Sequence, residues 1–139
     1  MTRRAEVAAY VRLWNTGAFE GIRDIAHADF AFRGALGNET RGFESFMTYG
    51  RSTHESLEDY YCDVHHCVSD GDWAFAKMRY RGRHVRPLLG FQPTRLKVEW
   101  LGAALFEFHG GKISELWVLS DLHGLRQQLN RNKALVDGA

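Results

Sequence analysis

Residues 73–121 carry the clearest structural signal of the chain: WAFAKMRYRGRHVRPLLGFQPTRLKVEWLGAALFEFHGGKISELWVLSD. Apolar and polar residues alternate in three long runs, at about Trp73–His84, Leu96–Phe108 and Lys112–Ser120. Alternation with a period of two is typical of strands that bury one face. Gly110-Gly111, between the last two runs, predicts a two-residue hairpin. The stretch therefore predicts an antiparallel meander of three strands.

The hairpin also predicts the register of this meander, because it pairs His109 with Lys112. Counting back, Trp100 then lies opposite Asp121, and residues directly opposite each other share a face. His84 ends the first strand and Asp121 ends the third, so we expect both at one edge of the sheet, about 10 Å apart. The face that carries them is predicted to be apolar and rich in small residues. Its members are Ala74, Ala76, Met78, Tyr80, Gly82, His84, Val98, Trp100, Gly102, Ala104, Phe106, Ile113, Glu115, Trp117, Leu119 and Asp121.

A sheet face lined by Ala and Gly does not fill its own space, so this face predicts a cavity for a hydrophobic small molecule. Ionisable groups in an apolar cavity are typical of acid–base sites. The candidate pocket-lining residues are Trp14, Arg33, Tyr49, Met78, Tyr80, Trp100, Phe106, Glu115 and Trp117. The alternative is an ordinary aromatic core in which Glu115 is buried and paired, with Arg33 as its natural partner. The sequence leaves both interpretations open.

The opposite face of the meander mixes apolar and charged residues, which suits neither open solvent nor a core. It carries Leu101, Ala103, Leu105, Leu116 and Val118 among Glu99, Glu107 and the basic stripe of Lys77, Arg79, Arg81 and Arg83. We expect a homodimer interface on this face.

Helical spacing of apolar residues predicts helices around Val7–Trp14, at about Phe19–Ala26, from near Gly42, and at about Leu122–Asn130. Tyr60–Ser69 alternates like a further strand. Helices followed by an antiparallel sheet indicate an α+β fold. At 139 residues we expect a single domain over positions 1–139, with a core at about 5–130 and a frayed tail at 131–139.

Composition excludes several classes of function. The net charge of +1 and the scattered basic residues argue against a nucleic-acid-binding protein. No apolar run is long enough for a membrane span, and no signal peptide is expected at the N-terminus. Cys62 and Cys67 are five residues apart on a predicted strand, so they are expected on opposite faces, and His65-His66 likewise points both ways. We therefore expect no metal site, no disulfide and a cytoplasmic setting.

Residues 85–95 connect the first two strands of the meander and contain both prolines of the chain. Leu88, Leu89 and Phe91 give this segment an exposed apolar tip. We interpret it as a hydrophobic lid over the open end of the sheet. A static connection between strands is the alternative.

Several of these segments together resemble one family. They are Gly42-Phe43-Glu44-Ser45-Phe46, Gly71-Asp72, Gly82-Arg83-His84, Gly90-Phe91-Gln92-Pro93-Thr94, Gly110-Gly111-Lys112-Ile113, and Glu115-Leu116-Trp117 followed by Asp121. From about Val7 to Leu129 the chain is similar to the SnoaL-like polyketide cyclases, within the nuclear transport factor two-like superfamily that includes ketosteroid isomerase. The resemblance implies a cone-shaped curved antiparallel sheet wrapped around the N-terminal helices, an α+β barrel of cystatin-like form with a short C-terminal helix.

The resemblance also implies an intramolecular aldol condensation on an ester-bearing aromatic polyketide, without metal or cofactor. The family's acid–base aspartate matches Asp121, and a histidine of the Gly-x-His segment matches His84. The chain departs from the family pattern at Val85-Arg86-Pro87 and at Arg95, which bears on the substrate more than on the fold. Asp121 also precedes a predicted helix, so its structural alternative is an N-cap, and His84 could simply end a strand.

This fold hosts many reactions, so the resemblance leaves alternatives open. Dehydration, epoxide hydrolysis or an oxygenation-related step could use the same pocket. A non-catalytic ligand-binding domain is the alternative from another functional class.

Overall fold

The structure is a computed structural model that describes residues 2–138. Its helices are α1 (Arg4–Thr16), α2 (Ile22–Ile25), α3 (Phe43–Ser56) and α4 (Leu122–Asp137), with a 3-10 turn at Phe19–Gly21. Its strands are β1 (Ala26–Arg33), β2 (Glu39–Arg41), β3 (Leu57–Asp70), β4 (Trp73–His84), β5 (Lys97–His109) and β6 (Lys112–Ser120). The strands form one curled, unclosed sheet in the order β2-β1-β6-β5-β4-β3.

The predicted α+β class is confirmed, with one difference in the sheet. β1 lies parallel to β6, whereas the other neighbouring strands are antiparallel. Parallel neighbours need a long crossover connection, and here α3 and the whole meander separate β1 from β6 along the chain. The sheet is therefore mixed and not purely antiparallel.

The predicted hairpin is confirmed at Gly110-Gly111. Both residues have positive φ angles, of 59° and 80°, which the tight turn requires and which glycine adopts without steric cost. His109 pairs with Lys112, as the sequence predicts. β4 also presents its predicted face inward, since its alternate residues from Ala74 to His84 are all buried.

The predicted register of β6 is wrong beyond its first residues, because a β-bulge lies at Ser114. Phe108 pairs with Ile113 and Glu107 pairs with Glu115, so Ser114 has no partner in the ladder. Its hydroxyl donates instead to the carbonyl of Glu107 at 3.1 Å. One extra residue turns every later side chain to the other face of the sheet.

The consequences of this bulge follow along β6. Leu116 and Val118, expected on the outer face, are buried on the inner face. Glu115, Trp117 and Leu119, expected inside, are exposed on the outer face.

A second irregularity lies in β3, where His65 is skipped between the pairs Val64–Met78 and His66–Lys77. Because of it, Cys62 and Cys67 both lie opposite inward-facing residues of β4, which corrects the expectation that they occupy opposite faces. Both are free thiols in the structure. Burial raises the pKa of the Cys62 thiol to about 12, so this sulfur is unreactive as a nucleophile.

The inner face of the sheet packs against α1 and α3 through aromatic side chains. Trp14 of α1 lies 5.9 Å from Phe46 of α3 and 5.4 Å from Tyr60 of β3, measured between ring centroids. The sheet meets these rings with small residues such as Ala76 and Ala104, both fully buried. Large side chains on the helices thus fill the space that small side chains on the sheet leave open.

α4 is longer than the short C-terminal helix that the sequence predicts, and it includes most of the expected tail. Leu125 and Leu129 are fully buried. Gln128 accepts a hydrogen bond from the N–H of Glu99 at 2.9 Å, and Asn132 donates to the carbonyl of Lys97 at 3.3 Å. These bonds fasten α4 across the start of β5. No helix of the described residues is long and apolar enough to cross a membrane.

The bulge at Ser114 predicts opposite effects for two leucines of the same strand. Leu116 is 1% exposed and Leu119 is 52% exposed. Leu116→Ala is expected to lower the free energy of unfolding by about 2–5 kcal/mol, since it leaves a cavity in the core. Leu119→Ala is expected to lower it by about 1 kcal/mol or less. Urea unfolding of the two variants measures the difference, and the reverse order would contradict the bulge.

Candidate active site

A cavity of about 20 Å³ lies between the inner face of the sheet and helices α1 and α3. This volume holds roughly one water molecule. Five predicted pocket residues line it, namely Trp14, Tyr49, Met78, Tyr80 and Trp100. The remaining lining residues are Tyr10, Val11, Phe32, Ala35, Leu36, Thr53, Tyr60, Cys62 and Val118.

The sequence pattern missed these additional residues for identifiable reasons. Tyr10 and Val11 belong to the periodic apolar face of α1, which the pattern assigns to the core without distinguishing cavity from core. Ala35 and Leu36 lie in the turn between β1 and β2, where no periodicity applies. The bulge turns Val118 inward, whereas alternation alone predicts it on the outer face.

Two polar atoms inside the cavity wall lack hydrogen-bond partners. The Tyr80 hydroxyl and the Trp100 Nε1 are both buried, and within residues 2–138 neither has a partner. Tyr80 and Trp100 lie directly opposite each other on β4 and β5, with ring centroids 5.2 Å apart. A buried polar group without a partner carries a desolvation cost, so such atoms usually mark a place where a ligand or water binds.

Two other tyrosines of the cavity, Tyr10 and Tyr49, differ from Tyr80 because their hydroxyls have hydrogen-bond partners. Tyr10 accepts a hydrogen bond from Trp14 Nε1 at 2.8 Å, and Tyr49 accepts one from the N–H of Leu36 at 3.0 Å. Burial raises the pKa of Tyr49 to about 12 and raises the pKa of Tyr80 well above its ordinary value. The Tyr80 hydroxyl therefore keeps its proton near neutral pH and is available as a donor.

Asp121 is exposed and caps the N-terminus of α4, as its structural alternative predicts. Its carboxylate accepts a hydrogen bond from the N–H of Gly124 at 2.8 Å. Its own N–H donates to the carbonyl of Leu101 at 2.8 Å, so its backbone is fixed beside the neighbour of Trp100. Ser120, the preceding residue, donates to the carbonyl of Ala35 in the cavity wall. Asp121 is therefore level with Leu101 and not opposite Trp100 as expected, and it does not itself line the cavity. Through Ser120, its segment is tied to Ala35 of the cavity wall.

His84 and Asp121 are not brought together. Asp121 is level with Leu101, which pairs with Arg79 of β4, whereas His84 lies five residues further along that strand. Five residues of strand span about 17 Å. The expectation of a shared edge is wrong, because β6 ends at Ser120 while β4 and β5 continue beyond it.

His84 is fully buried under the segment that joins β4 to β5. Its Nδ1 accepts from the N–H of Thr94 at 3.4 Å, so the ring proton is assigned to Nε2, which has no partner within the described chain. Burial lowers the pKa of His84 because desolvation disfavours the imidazolium, while the nearby carbonyls of Phe91 and Arg86 act in the opposite direction. His84 does not line the cavity.

Four other predicted pocket residues lie away from the cavity. Glu115 and Trp117 are exposed on the outer face because of the bulge. Arg33 is also on that side, where its guanidinium donates to the carbonyl of Val118 and lies 5.6 Å from the Trp117 ring. Among the described residues no ion pair joins Arg33 to Glu115. Phe106 is fully buried in the core, with its ring 5.4 Å from Tyr10.

The predicted lid residues form a tight turn at the His84 end of the sheet. The backbones of Leu88 and Phe91 exchange two hydrogen bonds, of 2.8 and 3.0 Å, and Leu89 and Gly90 between them have positive φ angles. Leu88 is buried, while Leu89 and Phe91 pack against the core. None of the three lines the cavity.

No group of three or more His, Cys, Asp or Glu residues that could hold a metal ion is found in residues 2–138. What the cavity offers chemically is a set of aromatic walls and two buried donors without partners in the described chain. Such a site can hold an apolar ligand and bind an acceptor oxygen.

Comparisons with known proteins agree with this architecture. A curated relative, the aklanonic acid methyl ester cyclase DnrD of Streptomyces peucetius, is 28% identical over 131 residues, which cover 88% of this chain and 87% of the relative. Among solved structures, TsrD of Streptomyces laurentii is 25% identical, with a TM-score of 0.80 over 91% of this chain and 96% of its own. A hypothetical protein of Catenulispora acidiphila with a ketosteroid isomerase-like fold is 17% identical, with a TM-score of 0.77 over 91% of this chain and 93% of its own.

A sequence model described as SnoaL-like polyketide cyclase matches residues 5–129. The family match and the curated relative support an enzyme of the cyclase or isomerase type. The chain belongs to the SnoaL-like polyketide cyclase family.

Proposed function

We propose that this protein catalyses an intramolecular aldol cyclisation, or a related isomerisation, of a hydrophobic ester-bearing polyketide. The observation that carries the proposal is an aromatic cavity inside the curved sheet, with Asp121 directly after Ser120, the residue that is bonded to the cavity wall. The curated relative is named an aklanonic acid methyl ester cyclase, and an aromatic-walled cavity suits an ester-bearing aromatic polyketide such as the family resemblance implies.

The proposed steps need only proton transfer and positioning. Asp121 removes a proton from the carbon next to a substrate carbonyl, and the electrons of the broken C–H bond form an enolate. The enolate carbon attacks a ketone carbon of the same molecule, which forms a C–C bond and leaves an alkoxide. The alkoxide takes back the proton from Asp121. The sequence is redox-neutral and returns the enzyme unchanged, so it calls for no electron-transfer cofactor.

Binding such a substrate requires the cavity to widen, because ligand pockets span about 300–1,000 Å³. The turn of residues 34–38 is the wall best suited to move. Ala35 and Leu36 are only half-buried, and the turn is fastened to α3 by the hydrogen bond from the N–H of Leu36 to the Tyr49 hydroxyl. A substrate that enters here would also cover Asp121 and desolvate its carboxylate.

We propose that His84 positions the segment 85–96 and does not contact the substrate. Its backbone N–H donates to the carbonyl of Leu96 at 3.0 Å, and its carbonyl accepts from the N–H of Arg95 at 2.8 Å. The segment starts directly after His84, and together with the bond from Thr94 to Nδ1 these contacts also tie the end of the segment to His84.

We propose further that the protein is a homodimer through the outer face of the sheet. This face exposes four large apolar side chains near its centre, those of Leu101, Leu105, Trp117 and Leu119. Its charges are largely paired within the chain, for example Arg79 with Glu99 at 3.5 Å and Arg81 with Asp63 at 3.3 Å. A second copy would cover the apolar centre without leaving these charges unpaired. The free thiols suit a reducing compartment, and we place the enzyme in the cytoplasm.

Asp121→Asn is expected to lower kcat by about 10²- to 10⁴-fold, because the amide cannot accept and return the proton. Asn is as good an N-cap as Asp, so the melting temperature should change little. Asp121→Ala is the control that loses both roles, with a further stability cost of about 1 kcal/mol. The assay is mass spectrometry with aklanonic acid methyl ester and related polyketide esters, in which cyclisation gives a product of unchanged mass. Full turnover by Asp121→Asn would contradict the catalytic role and leave Asp121 only its structural role as the N-cap of α4.

Leu105→Arg is expected to convert the dimer into monomers, since it puts a charge into the apolar centre of the interface. Leu135→Arg is the matched control, because Leu135 is 67% exposed on α4 and lies off the sheet. Sedimentation velocity distinguishes the two species. A wild type that is monomeric at micromolar concentration, or a Leu105→Arg variant that remains dimeric, would contradict the assignment.

The lowered pKa of His84 predicts a pH-dependent stability. The unfolded chain binds a proton at this histidine near pH 6.5, whereas the folded chain resists protonation to a lower pH. The free energy of unfolding should therefore fall as the pH drops below 6.5 and continue to fall until His84 also titrates in the folded state. His84→Gln should lose less stability than wild type between about pH 7.5 and 5, in urea unfolding at each pH. Parallel curves for the two proteins would show that burial does not shift this histidine.

A further inference from the structure

Two donors of the buried cavity wall have no hydrogen-bond partner within the described chain. Tyr80 is 3% exposed and Trp100 is 4% exposed, and the hydroxyl of one and the Nε1 of the other are without partners. An indole N–H can only donate, and a tyrosine hydroxyl without a neighbouring acceptor has its proton to offer. The chemical group that would satisfy both is an oxygen acceptor, and an ammonium or other cation would not.

A glycine on β5, Gly102, allows the Tyr80 ring to lie where it does. A Cβ atom at Gly102 would lie 2.5 Å from Cε2 of Tyr80 and 2.9 Å from its hydroxyl, so only glycine allows the Tyr80 ring to lie flat over β5. Met78, opposite Gly102 on β4, also lines the cavity. The Tyr80 hydroxyl is thereby held beside the cavity and not turned towards solvent.

We propose that Tyr80 and Trp100 form a two-donor site for a carbonyl oxygen of the ligand. The cavity of about 20 Å³ has room for one oxygen atom, and the rest of the ligand extends towards the turn of residues 34–38 in the widened cavity. The inference rests on the proposed function for its role in turnover. There, the site would bind the oxygen that becomes negative when the enolate forms, and two donors in an apolar setting stabilise that charge.

The position of Asp121 agrees with this role. Its N–H is bonded to the carbonyl of Leu101, the residue next to Trp100, so the backbone of Asp121 and the donor pair lie at one level of the sheet. In the proposed complex, the carbon next to the bound carbonyl lies on the Asp121 side of the ligand. His84, four residues beyond Tyr80 on the same strand, lies about 13 Å further along.

The test compares acetophenone with ethylbenzene, which have similar shape but differ in the carbonyl oxygen. The chain has four tryptophans, so a ¹H–¹⁵N spectrum of the full-length protein shows four indole signals, and Trp100→Phe identifies one of them. Acetophenone is expected to shift the Trp100 indole signal and to bind about fivefold more tightly than ethylbenzene. Tyr80→Phe should remove most of this preference without weakening ethylbenzene binding.

Tyr10→Phe is the matched control in the same cavity, because the Tyr10 hydroxyl is already bonded to Trp14. It should lower the melting temperature and leave the preference for acetophenone intact, whereas Tyr80→Phe should leave the melting temperature unchanged or raise it. Equal binding of the two probes, an unmoved Trp100 signal, or no binding of either probe would overturn the proposal and leave the donors to a structural water.

The two proposals fail separately in this design. A carbonyl preference that depends on Tyr80, in a protein that cyclises no polyketide ester, would keep the two-donor site and reject the cyclase. Turnover that depends on Asp121 but is unaffected by Tyr80→Phe, with no carbonyl preference, would reject the site and keep the cyclase. Where both hold, Tyr80→Phe should lower kcat more than it raises KM, since the donors act on charge that develops during the reaction.

Discussion

The packing of large aromatic side chains on the helices against small residues on the sheet determines the interior of this protein. Trp14 alone makes ring contacts with Phe19, Phe46, Tyr49 and Tyr60, with centroids 5.2–5.9 Å apart. These rings reach the sheet because Ala74, Ala76 and Ala104 do not project into the space they occupy. Large side chains on the helices packed against small side chains on the sheet give a dense core without large residues on both sides.

The same packing explains why the cavity is small. Small residues on the sheet predict an open space when the sheet is considered alone, and the sequence of β4 and β5 indicates this correctly. The helices close that space, however, with rings contributed by residues far away in sequence. A pattern within the sheet cannot reveal how deeply a helix on the other side of the core penetrates, so the sequence overstates the cavity while naming five of its lining residues.

The register shows a second limit of inference from sequence. Local turn chemistry predicts the hairpin at Gly110-Gly111, and alternation predicts the faces of β4 and β5, because both signals act between neighbours in the chain. The bulge at Ser114 has no such signal, since Ile113-Ser114-Glu115-Leu116 alternates acceptably in either register. What decides is tertiary: in the observed register Leu116 and Val118 lie opposite Phe106 and Ala104 and are buried in the core, while Trp117 and Leu119 stay on the outer face. Because the sequence pattern does not reveal the bulge at Ser114, Glu115 and Trp117 are predicted in the pocket although they lie on the outer face.

The candidate site was only partly predictable, for a related reason. Motif resemblance and strand ends direct attention to ionisable residues, and so to Asp121 and His84. Tyr80 and Trp100 carry no such signal, because a tyrosine and a tryptophan on an apolar face usually have partners for their polar atoms. Only the absence of partners within the described chain distinguishes these two from Tyr10 and Trp14, which satisfy each other.

The distribution of these groups also assigns the proposed steps to different parts of the cavity. The inner wall has donors that hold their protons, since burial raises the pKa of Tyr80 and an indole N–H does not ionise near neutral pH. It can therefore stabilise negative charge on oxygen but cannot remove a proton from carbon. A base must come from elsewhere, and the carboxylate tied to the cavity wall through Ser120 and Leu101 is that of Asp121. In enolisation the proton leaves from the carbon next to the carbonyl whose oxygen gains the charge, so base and donors must act on adjacent atoms. In the proposed complex the substrate joins the buried donor pair to the exposed carboxylate, and by covering Asp121 it supplies the exclusion of water that the free enzyme lacks.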